Sequence, residues 1–542
     1  MNAPATELDA VVVGAGFSGL YMLHRLRSLG LRTRLIEAGT DVGGTWYWNR
    51  YPGARCDSES HNYSYSFSPE LEQEWEWSSK YPAQPEILAY LQHVAERFDL
   101  RRDIVFGTRV TAARFEEDAL HWRVDTDRGG SLRTRYLITA VGCLSAGQVP
   151  DLPGLARFEG TWHHTGQWPH RGVDFGGRRV GVIGTGATGM QVIPVVAEQA
   201  THLHVFQRTP NFSLPARNAP LDPQQVRDIK ARYRDIRQHA RHSFSGFPVD
   251  PLQRSALEVP AAEREATYER LWAVGGFRFL FEGFSDILFS RAANDTAAEF
   301  LRRKISETVD DPAVAAALTP TSHPFGTKRP PLNTRYFETF NRDNVTLVDL
   351  RREPITEVTR RGIRTEADEY PLDLIIFATG FDAMTGALLR MDLRGRGGQA
   401  LADKWRDGPR SYLGLAVAGF PNLFTITGPG SPSVLSNMPT SIEQHVDWIA
   451  DCLAHVERTG AAVIEADAEA EQRWVEHVNA VAETTLFPLA DSWYVGANVP
   501  GKPRVFMPYV GGVGPYREHC EEIARDGYAG FHLRPTGQPR RA

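Results

Sequence analysis

Cysteine is scarce: Cys56, Cys143, Cys452 and Cys520 are the only four in 542 residues, and no two stand as C-x-x-C. That spacing excludes a dithiol redox centre, a zinc knuckle and a disulfide scaffold; no metal is expected, and the cytoplasm is the expected compartment. Charge of one sign is lacking as well. Sixty Lys and Arg against 66 Asp and Glu leave a net charge of -6, without the basic excess of a nucleic-acid binder. Nor is there a clean membrane-length apolar run. An uncharged stretch of membrane length, Val180 to Ala197, is broken by Gly181, Gly184, Gly186, Gly189, Gln191 and Pro194, so it predicts a strand, a tight turn and a helix start. The N-terminus carries acids ahead of its apolar run, and no signal peptide is expected. The length allows about three domains of roughly 100–200 residues.

What is abundant is glycine in a fixed grammar. Leu8 to Val13 is a short apolar run, followed by Gly14-Ala15-Gly16-Phe17-Ser18-Gly19, an apolar helical pattern from Leu20, and a second strand, Thr33 to Ile36, ending at Glu37. This is a βαβ unit whose glycines have separate tasks. Gly14 makes the turn, Gly16 lets the backbone approach a diphosphate, and Gly19 lets helix and strand pack closely. The diphosphate sits at the positive helix end, and Glu37 can accept from ribose hydroxyls. The grammar recurs: strand Arg179 to Ile183, turn Gly184-Thr185-Gly186-Ala187-Thr188-Gly189, helix from Met190, then strand Leu203 to Phe206 ending in Gln207-Arg208-Thr209. Here the acid is absent and a guanidinium stands near its place. A carboxylate would repel a 2′-phosphate, whereas arginine pairs with it bidentately; the plain alternative for Arg208 is a solvated strand end. The first unit is thus expected to take an adenine dinucleotide with a free ribose, and the second NADP.

Two such units in one α/β chain mean two facing cofactors, most simply a flavin and a nicotinamide. Leu374 to Asp382 and Tyr136 to Gly142 are buried strands ending in turns. They either return the chain between domains or are ordinary sheet strands, and spacing alone does not choose. Between about Pro220 and Pro320 the texture becomes charged and helical, either a pocket-shaping insertion or a solvated cover. A capping box is expected at Thr296-Ala297-Ala298-Glu299, with Leu301 and Ile305 on one helix face.

Between the two glycine motifs lies Phe158-Glu159-Gly160-Thr161-Trp162-His163-His164-Thr165-Gly166-Gln167-Trp168-Pro169. It fits F-x-G-x-x-x-H-x-x-x-W-P and resembles the fingerprint of the type I Baeyer–Villiger monooxygenases, class B flavoproteins that use FAD, NADPH and O2. The resemblance runs from Asp9 to about Leu533. It includes Gly43 to Asp57, Phe206 to Asn211, Lys328-Arg329, Ala378 to Asp382 and Ser492 to Asn498, and in Gly428 to Met438 it is similar to the phenylacetone and steroid monooxygenase branch. The helical insert is the main departure.

The resemblance implies two Rossmann-like domains: residues 1–145 and 385–542 for FAD, and 146–220 and 325–384 for NADP, with 221–324 as a helical insertion. It implies oxidation of aryl, cyclic or steroid-like ketones to esters or lactones through a flavin C4a-peroxide and a Criegee adduct, with sulfoxidation as a side activity. Arg329 would hold the peroxide as an anion, because arginine stays charged when desolvated. Asp57 would orient Arg329. FAD would lie along Gly14, Gly16, Ser18, Gly19 and Glu37, against Thr45, Trp46, Trp48, Asp57, Tyr63, Val110 and Met438. NADP would meet Arg55, Thr185, Gly186, Thr188, Gly189, Gln191, Arg208, Thr209, Lys328, Arg329 and Trp493. His164 and Trp168 would couple domain movement to cofactor binding, and Cys56 is expected to be a small buried filler. The partners implied are a small ketone and O2, with no nucleic acid and no membrane, and a monomer or weak homo-oligomer. The alternative is a flavin monooxygenase oxidising nitrogen or sulfur, whose fingerprint carries an aromatic and then a basic residue where this chain has Trp168-Pro169.

Overall fold

The computed structural model describes residues 7–535; residues 1–6 and 536–542 lie outside the described residues. Its first strand, Glu7–Val13, runs parallel to Thr33–Ile36 on one side and Ser131–Thr139 on the other, with Val12 opposite Leu35 and Ile138. Ala10, Val11 and Val12 are fully buried, as a strand covered on both faces requires. Ile104–Val105 extends this sheet at one end. At the other, Ser131–Thr139 opens into an antiparallel meander of His121–Thr126 and Val110–Glu116, with Asp392–Arg394 at the edge and Leu423–Thr425 pairing back onto Ser131–Thr139. Helices Phe17–Ser28 and Met438–Thr459 pack together in its core.

A second sheet is wholly parallel, in the order Val345–Asp349, His202–Gln207, Arg179–Ile183, Leu374–Phe377 and Thr161–His164. The uncharged stretch is its strand Arg179–Ile183 and the helix Ala187–Ala197. Leu374–Phe377 is an interior strand, and it also starts a crossing. The connection leaving Ser131–Thr139 and the one returning after Phe377 run side by side: Gly147 bridges Phe381, Asp382 N–H donates to the Ala146 carbonyl at 2.8 Å, and Gln148 N–H donates to that of Gly380 at 3.1 Å.

Between 221 and 324 the chain is helical, with Pro223–Ala231, Tyr233–His242, Ala261–Val274, Arg291–Thr308 and Pro312–Leu318, and the aromatic core includes Phe212, Tyr268, Phe279, Phe300 and Phe325. Leu301 and Ile305 are both buried there. The capping box at Thr296 is overturned. The helix begins five residues earlier, at Arg291, and Ser290 caps it by accepting Ala293 N–H at 3.3 Å. Thr296 lies inside, its hydroxyl bonded to the Ala293 carbonyl at 2.7 Å and 2.7 Å from the Tyr268 hydroxyl. The T-x-x-E pattern is local and occurs inside helices too; only the backbone decides which Ser or Thr has free N–H groups ahead of it. Ser290→Ala is expected to cost about 1 kcal/mol, read as a melting midpoint lower by about 2 °C, while Thr296→Ala should show no capping loss.

Among the described residues no helix is long and apolar enough to cross a membrane, and no group of three or more His, Cys, Asp or Glu is placed to hold a metal.

Candidate functional site

Arginine offers five N–H donors in a rigid fork and accepts nothing. Arg329 commits three of them. Its Nε and Nη2 donate to the two Asp57 carboxylate oxygens, each at 2.9 Å, and Nη1 donates to the Val434 carbonyl at 2.9 Å. The guanidinium carbon lies 4.8 Å from the ring centre of Phe277, within cation–π range. Burial works against its charge, but the Asp57 carboxylate more than compensates and holds the guanidinium's pKa above the usual arginine range. Arg329 and Asp57 keep 26% and 24% of their side-chain exposure, because both border open space.

That space is a cavity open to solvent, about 560 Å3 with the solvent at its mouth included, in which, among the described residues, Arg329 is the one charged lining side chain; Phe277, Phe281, Leu288, Val434, Leu435 and Phe487 supply much of the wall. The Val434 backbone has φ +68°, a rare conformation for a β-branched residue. Its N–H faces the Met438 sulfur at 3.2 Å while its carbonyl faces Arg329, so the loop carries both cavity wall and arginine acceptor.

The glycine turns offer room and donors. A Cβ on Gly14 (φ +104°) would stand 2.6 Å from the Ala140 carbonyl oxygen, and one on Gly19 would stand 1.8 Å from that of Gly14. Both positions therefore admit only glycine. A Cβ on Gly186 would meet nothing within 4 Å, so open space lies ahead of the second helix. Gly16 and Gly186 are the N-caps of their helices and neither helix has a side-chain cap, which leaves first-turn N–H groups for anionic oxygens. The residues present fit two dinucleotide diphosphates.

Around the first turn, Glu37 is buried. Its carboxylate accepts Ala15 N–H at 2.7 Å and Gly39 N–H at 2.6 Å, and burial raises its pKa against those bonds. Ser18 is buried in the helix's first turn. Thr45–Trp48 is a single helical turn: Thr45 is exposed, Trp48 half-buried, and the buried Trp46 indole donates to the Tyr63 hydroxyl at 3.2 Å. Tyr63 packs edge-on to Phe17 at 5.1 Å. Val110 is buried at the start of its strand, two residues beyond Thr108, whose N–H donates to the Glu37 carbonyl. Met438 opens the long helix. Cys56 is buried and accepts Ser58 N–H.

Around the second turn, Gln191 links two segments: it accepts from the Tyr51 hydroxyl at 2.8 Å and donates to the Arg55 carbonyl at 3.0 Å. Arg55 itself reaches the Tyr81 carbonyl, and burial lowers its pKa. The Thr185 hydroxyl faces the Thr209 carbonyl at 3.4 Å, Thr188 supports Tyr51, and Gly189 backs onto Gly184. Arg208 is exposed and Lys328 half-buried. Burial first, and then repulsion from Arg208, lowers the Lys328 pKa. Two neighbouring cations that repel one another make the local potential positive. Trp493 is half-buried, its ring 4.2 Å from that of Tyr494.

Within the fingerprint, His164 accepts Gly166 N–H on Nδ1 at 3.1 Å, and its Nε2 lies 3.1 Å from the Gly380 carbonyl in the returning connection. Trp168 is buried beside His163 and Phe175. Sequence reasoning missed Phe277 and the Val434 carbonyl as partners of Arg329. Neither carries a local signal, since the first is one Phe among 27 and the second is a backbone atom.

Residues 8–245 match the family model described as pyridine nucleotide-disulphide oxidoreductase. A Baeyer-Villiger monooxygenase of Pseudooceanicola batsensis is 46% identical over 525 residues, covering 96% of this chain and 95% of the relative. A cyclohexanone 1,2-monooxygenase of an Acinetobacter species is 44% identical over 530 residues, 97% of each. The solved structure of an oxidized steroid monooxygenase bound to NADP is 55% identical with a TM-score of 0.94, covering 98% of this chain and 100% of that one.

Proposed function

The chain belongs to the Baeyer–Villiger monooxygenases, and from that membership we propose that Arg329 is its catalytic cation, Asp57 the group that orients it, and an aryl, cyclic or steroid-like ketone its substrate. The protein is an FAD-dependent, NADPH-consuming oxidoreductase that converts ketones to esters or lactones. Bound FAD, reduced by NADPH, would supply the activation of dioxygen. The protein's own work is electrostatic. Arg329 keeps a fixed positive charge beside the reacting carbonyl and offers its uncommitted N–H groups to the substrate oxygen as negative charge grows there. Asp57 prevents the guanidinium from rotating away and offsets the cost of burying it. The apolar walls exclude water and accept the hydrocarbon body of the ketone.

The first glycine turn, Glu37, the segment around Trp46 and the residues Tyr63, Val110 and Met438 would hold FAD within 1–145 and 385–542. The second turn, with Arg55, Gln191, Arg208, Thr209, Lys328 and Trp493, would hold NADPH chiefly within 146–220 and 325–384, and 221–324 would close the cavity. The enzyme would act in the cytoplasm as a monomer or weak homo-oligomer.

The observation that carries this reading is a single charged side chain, doubly bonded to a carboxylate, on the wall of an otherwise apolar cavity. The test is a panel of aryl, cyclic, linear and steroidal ketones with NADPH, read by product mass. Products heavier by one oxygen, with one NADPH consumed for each, are expected for the bulky apolar members. Amine or thioether oxidation with no ester or lactone from any ketone would sink the reading.

A further inference from the structure

A ketone oxygen only accepts hydrogen bonds, so a site that orients it needs donors. Among the described residues, three that carry a hydroxyl line the cavity: Ser436, Tyr494 and Tyr509. Two of them are engaged elsewhere: Ser436 Oγ is 2.7 Å from Ser441 Oγ, and the Tyr509 hydroxyl is 3.4 Å from His477 Nε2. Tyr494 differs. It is 2% exposed, its ring is held by Phe487 at 5.6 Å and Trp493 at 4.2 Å, and its carbonyl accepts Met507 N–H at 2.9 Å. The charged groups that act on its hydroxyl are Arg329 and Asp57. A guanidinium cannot accept, so the phenol cannot spend its hydrogen on Arg329. Both Asp57 oxygens are taken by Arg329, and among the described residues no carboxylate or carbonyl accepts from the Tyr494 hydroxyl. Its hydrogen is therefore left for the cavity.

We propose that Tyr494 is a second catalytic residue: its phenol O–H donates to the carbonyl oxygen of a neutral ketone and holds that oxygen beside the Arg329 guanidinium. The proposal rests on the ketone-oxidising reading of the same cavity. Burial pushes the phenol pKa up to about 12, with Arg329 opposing, so the group stays protonated and remains a donor across working pH. No proton need transfer. The hydrogen bond strengthens as negative charge builds on the substrate oxygen, so its removal should appear mainly in kcat. With the phenol and the guanidinium both on the cavity wall, the two donors can converge on one substrate oxygen.

The test is Tyr494→Phe, which deletes one oxygen and keeps the ring. Expected are a fall of about 10–100-fold in kcat/KM for a ketone, carried mostly by kcat, an unchanged KM for NADPH, an unchanged melting midpoint, and more NADPH consumed without ester. A second readout needs no turnover. A 13C-labelled ketone bound to the oxidised enzyme without NADPH should show its infrared carbonyl stretch at lower frequency in the wild type, and nearer its value in apolar solvent in the variant. A wild-type stretch matching apolar solvent overturns the proposal with no variant at all, and so does a variant with kcat/KM within about twofold of wild type. If the wild type makes no ester or lactone from any ketone, it is the underlying reading that fails. If both proteins oxidise ketones equally well, only the role of Tyr494 does.

Discussion

Arg329→Ala is expected to bind FAD and accept electrons from NADPH as the wild type does, while ester formation falls by at least about 10²–10³-fold. The loss follows from the geometry. Among the described residues the guanidinium is the cavity's one charged lining side chain, so no other full positive charge on the wall can balance negative charge on a substrate oxygen. The variant also strands Asp57, a half-buried carboxylate whose two oxygens both face Arg329. Breaking such a pair costs up to about 3–5 kcal/mol when fully buried, and less here because both partners border open space. A lower melting midpoint is therefore expected alongside the kinetic loss. Arg329→Lys separates the two effects. It keeps a cation for Asp57, but a single ammonium cannot reach both carboxylate oxygens and the Val434 carbonyl in one plane, so stability should recover more than rate. The decisive measurement is ester formed per NADPH oxidised, and a wild-type ratio and rate in Arg329→Ala would remove its assigned role.

Arg208→Ala and Lys328→Ala are each expected to raise KM for NADPH by about 10–100-fold, the range for losing a hydrogen bond to a charged group, with little change for NADH, which lacks the 2′-phosphate. pH gives an independent handle. The Lys328 pKa is lowered by burial and by Arg208, so its charge is present at low pH and lost as pH rises through that lowered value. KM for NADPH should therefore climb on the alkaline side sooner than an ordinary lysine would allow. In Arg208→Ala the repulsion is gone, and the climb should move to higher pH. Equal effects on NADPH and NADH, or a climb that stays put in Arg208→Ala, would count against a phosphate clasp.

The glycine turns were legible because their constraint is local in kind: a β-carbon is forbidden at Gly14 and Gly19 whatever surrounds them. The obstacle at Gly14, the Ala140 carbonyl, is 126 residues away and invisible in the pattern. Asp57 and Arg329 stand 272 residues apart, and no periodicity joins them; only a resemblance suggested the pair. Phe277 and the Val434 carbonyl were not legible at all, because they act through a ring face and a backbone angle set by tertiary packing. Thr296 misled for the opposite reason. Its pattern was complete, but the free N–H groups that give a cap its value lie ahead of Ser290.

The paired connections at 146–148 and 380–382 set how the two sheets can move. One tether would let the bodies swivel freely, whereas two tethers zipped to each other act as a double-pinned door hinge. They bend readily about one line and resist torsion about any other. His164, gripping the Gly380 carbonyl, fastens the fingerprint segment to the pin itself. A change in the gap between the bodies would then leave their facing edges on the same bearing.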